Sequence, residues 1–184
     1  MVNSALQHYS YSLAADDRIA AVNAEWLAFA QENGASELTQ DAVLGKPLWS
    51  FVSGRETQEL YAAIFRRVRC EGLVATIPFR CDSPTLRRYM LMRVSKSDDL
   101  LVLECTLTRV ETTNYLRLLD RGVPRDERQL TVCSLCRHAL VEPVGWLQLE
   151  DAAVRLRLLE ETTGPRFRYT ICPPCANLAV QSPN

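Results

Sequence analysis

Four cysteines carry the chemistry most readily read from this chain: Cys133-Ser-Leu-Cys136 and Cys172-Pro-Pro-Cys175. Two intervening residues let both sulfurs of a tight turn face one ion, and four soft thiolates suit a closed tetrahedral site. Zinc is the expected occupant, and a single iron held by the same sulfurs is the alternative. A site closed by four sulfurs keeps no position for water or substrate, so its expected work is to hold the fold together. The pairs are separated by 35 residues, enough for a small element between them. His138, two residues past Cys136, is placed either to replace a sulfur or to donate a hydrogen bond to a thiolate from outside the ligand set.

Other readings of the cysteines carry less weight. Cys172-Pro-Pro-Cys175 has the spacing of a thioredoxin-like dithiol, but that motif opens a helix inside a strand–helix–strand fold, and little chain follows it here. Oxidation of the quartet with release of the metal is the redox alternative. Cys70, Cys81 and Cys105 read as small buried hydrophobes. An odd count of seven cysteines, with no secretory signal at Met1–Leu13, argues against a disulfide framework. Reduced thiols and a cytoplasmic location are therefore expected.

Catalytic motifs are missing from the sequence. Of the two histidines, neither lies near a paired carboxylate, and no phosphate-cradling glycine loop or Gly-x-Ser-x-Gly elbow appears. No enzymatic activity is expected. Residues 1–113 hold 12 basic and 14 acidic side chains, and residues 114–184 hold 9 and 8. That balance lacks the positive footprint of nucleic-acid binding, which also counts against a DNA-binding role for the cysteine module. No run of apolar residues is long enough to span a membrane.

The elements that must position the cysteines follow from pattern. Residues 1–17 read as a polar lead or cap. Arg18–Asn23 reads as a strand ending in a helix N-cap at Asn23, and a helix through Trp26 and Phe29 stops at Asn33-Gly34. A second helix spans about Glu56 to Arg69, with Leu60, Tyr61, Ile64, Phe65 and Val68 in one stripe. Val74–Cys81, Arg88–Ser95 and the run through Leu101, Leu103, Cys105 and Leu107 form an antiparallel meander. Residues 113–130 read as a helical linker. Beyond it come a hairpin through Pro143–Gly145, a helical stripe from Leu149 to Leu159, and a strand from Phe167 to Ile171. Arg80, Arg87 and Arg88 bracket a turn at Asp82-Ser-Pro84, read as a solvated loop or an anion clamp.

Three features across residues 18–112 resemble a PAS domain: the Ile19…Val22-Asn23…Trp26 opening, the Gly45-Lys-Pro-Leu-Trp49 middle, and the long helix with three closing strands. The region around Cys133-Ser-Leu-Cys136-Arg-His138, Trp146 and Tyr169-Thr-Ile-Cys172-Pro-Pro-Cys175 looks like a cysteine-rich module found after PAS domains in bacterial signalling proteins. The resemblance implies an α+β chain, with a PAS-like antiparallel sheet and flanking helices followed by a small treble-clef-like zinc module over residues 131–184. It implies a sensory or protein-interaction role, with another signalling protein, a second copy of the chain or a small ligand as partner. Trp26, Trp49, Phe51, Tyr61 and Phe65 are the residues such a ligand would meet, with plain core packing as the simpler reading. Flavin photochemistry is not expected, because the light-sensing relatives keep a cysteine in an Asn-Cys-Arg context and Gly54-Arg-Glu-Thr57 stands there instead. Haem is not expected either, since residues 54–72 lack a histidine.

Overall fold

The computed structural model describes residues 8–180, which form an α+β structure with two sheets. The first sheet contains β1 (His8–Leu13), β2 (Ile19–Val22), β3 (Ala75–Arg80), β4 (Leu86–Ser97) and β5 (Leu100–Thr112). Their order is β2-β1-β5-β4-β3, and every neighbouring pair is antiparallel. Alternation fixes the register. Met92 and Val94 pair with Cys105 and Leu103, and all four are buried on the face toward the core.

Helices α1 (Ala24–Glu32), α2 (Gln40–Val43) and α3 (Arg55–Glu71) lie between β2 and β3 in sequence. The side chain of Asn23 caps α1 by accepting from the Trp26 N–H at 2.9 Å, and it also accepts from Ser10 N–H. The apolar stripe of α3 buries Ile64, Phe65 and Val68 against Ile77, Met90 and Leu103 in one core. Gly72 ends the helix at φ 67°, where a Cβ would be strained.

Within residues 8–17 the expected polar lead gives way to a strand. His8–Leu13 is an inner strand between β2 and β5, while residues 1–7 lie outside the described residues. Its core face is built from Tyr9 and Leu13, with Tyr11 packed alongside. Serines and hydroxyl-bearing rings give the segment polar composition despite that burial.

The second sheet contains β6 (Arg125–Cys133), β7 (Ala139–Val141), β8 (Gly145–Leu147) and β9 (Gly164–Thr170), in the order β8-β7-β6-β9. β6 and β9 run parallel; the other pairs are antiparallel. Two helices complete this half, α4 (Leu149–Arg155) and α5 (Pro173–Val180). The expected linker over 113–130 is instead part of the second core. Leu116 and Leu118 pack with Leu130, Val132, Leu149 and Ala152, and β6 starts at Arg125. Its charged end is held by local partners: Arg125 donates to the carbonyls of Leu118 and Asp120, and Arg128 pairs with Asp126 and Glu161. The helical stripe also ends early. Arg157 takes φ 58°, which leaves Leu156 and Leu159 exposed and turns Leu158 inward. Among the described residues no helix is long and apolar enough to cross a membrane.

Candidate metal centre

Parallel pairing of β6 with β9 sets Cys133 beside Thr170 and so brings the two cysteine pairs together. The first pair occupies a turn at the end of β6. There the Cys133 N–H donates to the His138 carbonyl at 2.8 Å, and the Arg137 N–H donates to the Cys133 carbonyl at 3.1 Å. Cys172 stands just before α5, and Cys175 lies in the first turn of that helix. Pro173 and Pro174 suit this position, because N–H groups in a first helical turn have no intrahelical acceptor.

The four sulfurs lie within 4.8 Å of one another, and Cys136 Sγ is 3.6 Å from Cys172 Sγ. A tetrahedral zinc with Zn–S of about 2.3 Å separates its sulfurs by about 3.8 Å, so the cluster is already near the spacing such an ion requires. Cys133, Cys172 and Cys175 are buried and Cys136 is half-buried. All seven cysteines are free thiols. Hydrogen bonds from the thiols of Cys136 and Cys175 push Cys133 strongly toward the thiolate, aided by the Cys172 N–H at 3.4 Å. Sharing that proton pushes Cys136 up to about 12, and Cys175 is raised further. Four sulfurs this close cannot all ionise by themselves, and a bound divalent cation would supply the missing charge. His138 Nδ1 lies 3.1 Å from Cys136 Sγ, within reach to donate to a thiolate; the sulfurs alone complete the tetrahedral set.

No family model matches the chain, and no curated protein matches it.

The cysteines also belong to the first core. Cys133, Leu135, Cys172 and Cys175 pack in one cluster with Ile77, Phe65 and Met90. The centre therefore sits at a seam between the two halves of the chain. Arg80, on edge strand β3, is the main strap across it. Its backbone N–H donates to the Leu135 carbonyl at 2.7 Å, and its guanidinium reaches Gln148 at 2.6 Å and Asp82 at 2.5 Å. Arg87 pairs with Glu150 at 2.7 Å, and the hydroxyls of Thr57 and Ser134 lie 2.6 Å apart. At Gly54, φ is 91° and an added Cβ would fall 2.5 Å from the Tyr169 carbonyl oxygen, so only glycine fits.

This arrangement corrects the reading of Arg80, Arg87 and Arg88 as a solvated loop or anion clamp. Arg80 is 6% exposed, Arg87 is bound to Glu111 and Glu150, and Arg88 donates to the Cys81 carbonyl and covers Phe29. The aromatic set divides by location. Phe65 is buried between Trp49 and Tyr61, Trp49 donates to Asp17 at 3.2 Å, and Trp26 packs on Tyr11. Phe51 is exposed, and it lines with Tyr61 a cleft at the seam rather than an interior cavity. The seam contacts of Gly54, Ser134, Arg121 and Arg137 were not legible in the sequence, because nothing local marks partners that lie far along the chain.

Proposed function

We propose that this chain is a non-enzymatic sensory or protein-interaction protein of bacterial signalling. In this reading its first half is a PAS-like domain and its second a treble-clef-like module built on structural zinc. Support comes from the antiparallel sheet with its long helix and three closing strands, and from a cysteine turn facing a helix start. The observation that carries the reading is that all four sulfurs converge inside a core shared by both halves. An ion there has its positions filled by protein and works by joining the halves. Native mass spectrometry of freshly purified protein tests this. One zinc per chain, together with a second copy, a partner or a co-purified small molecule, is expected. Metal-free, monomeric and ligand-free protein would remove the reading.

One observation favours redox sensing as the second reading. A cleft of about 400 Å³ against β3 and β4 is lined by Cys136, Cys175 and His138, giving small oxidants a route to two of the sulfurs. Peroxide would take two electrons from a pair of thiolates, forming a disulfide and being reduced to water as the metal leaves. Zinc content unchanged under mild peroxide excludes it.

A further inference from the structure

On the other side of the seam lies a cleft of about 380 Å³ with a different lining. Its walls combine Phe51, Ser53 and Tyr61 from the first half with Arg121, Arg137 and Tyr169 from the second. No carboxylate lines it. Arg137 forms no ion pair among the described residues, and its Nε is buried without a hydrogen-bond partner. What holds it is the Tyr169 ring, 5.6 Å from its guanidinium carbon. Arg121 donates to the Gly34 carbonyl at 2.7 Å and stands 3.5 Å from the exposed Glu37, which leaves donors of its fork uncommitted. Arg80 and Arg87, which strap the seam elsewhere, are each paired with carboxylates, so two guanidiniums facing a cleft without a carboxylate in its lining stand apart.

We infer that this cleft binds a small organic oxyanion, a carboxylate or phosphate monoester carrying an aromatic body. Two guanidiniums supply forked donors matched to such a headgroup, and Ser53 adds a hydroxyl. Phe51, 40% exposed at the rim, gives the ring of the ligand a face to rest on. The volume is that of a small-molecule site. Because each half contributes one wall, an occupant would tighten the seam. The inference rests on the seam geometry and not on the PAS-like reading above.

The zinc-loaded full chain is titrated calorimetrically with phenyl phosphate, benzoate and inorganic phosphate, with phenol as neutral control and zinc content measured alongside. Saturable binding of phenyl phosphate or benzoate, with none for phenol, is expected, and the stronger of the two names the headgroup. Arg137→Gln and Arg121→Gln should each weaken it by about tenfold or more, as loss of a charged hydrogen bond does. Arg137→Lys should recover part of the loss. If Arg137→Gln loses zinc, Arg121→Gln, remote from the sulfurs, decides alone. Absence of saturable binding to either aromatic anion, equal binding of phenol, or unchanged affinity in a zinc-replete Arg121→Gln protein overturns the inference.

Discussion

The Arg80 N–H and the Leu135 carbonyl meet at 2.7 Å, so the turn that holds the first cysteine pair also closes the outer edge of β3. The Arg80 side chain continues the strap to Gln148 and to Asp82, whose carboxylate is almost fully buried. Removing the guanidinium leaves that carboxylate buried with its charge unpaired. Arg80→Ala should therefore cost about 3 kcal/mol or more in urea unfolding, in line with other broken buried pairs. Arg80→Lys should recover only part of the loss, because an ammonium cannot span Asp82 and Gln148 as the planar fork does.

Removing the metal should disturb both halves of the protein. A strong chelator, or Cys172→Ser, is expected to abolish the near-ultraviolet circular dichroism of the seam aromatics and to lower the unfolding midpoint of the whole chain. Cys70→Ser changes an exposed thiol and should alter neither signal. If the chelated protein melts as the untreated one does, the centre is not structural.

Gly54 supports a sharp test of the close approach between α3 and β9. Gly54→Ala places a methyl group against the Tyr169 carbonyl and forces an L-residue to φ 91°. Either the backbone shifts or the seam opens, at a cost of about 1–3 kcal/mol. Gly45→Ala is the control: it shares a positive φ of 70° but has nothing within 4 Å, so its cost should be the smaller of the two.

Thiol reactivity should rank by environment. Burial pushes Cys105 up to about 12 and raises Cys81 as well, whereas Cys70 is exposed. A raised pKa keeps the thiol protonated, and only the thiolate alkylates. At about pH 8 iodoacetamide should therefore mark Cys70 first in the metal-loaded protein, with Cys105 labelled only after unfolding. Peptide mass spectrometry reads the order. Early labelling of Cys105 would show that β5 opens in the native state.

Legibility in the sequence followed the range of the interactions. The cysteine quartet and the helix cap at Asn23 announce themselves within a few residues, and the β3–β5 meander shows in the alternation of Met90, Met92 and Val94. β1 was hidden because tyrosine and serine give it polar composition while Tyr9 and Leu13 are buried. β6 was hidden by the charges of Arg125–Arg128, which are satisfied by partners as distant as Glu161. The seam was the least visible part. Thr57 with Ser134 and Gly54 with Tyr169 are pairings that appear only once the chain has folded, and each residue alone looks ordinary.

The outer rim of β3 is guarded in two ways. Pro78 has no N–H to offer on the side where Arg80 points its own, and that of Arg80 is taken by Leu135. The second guard depends on the cysteine turn keeping its shape, and hence on the ion. A chain stripped of metal would bare the Arg80 end of this edge to its neighbours, so demetallation should bring self-association with it.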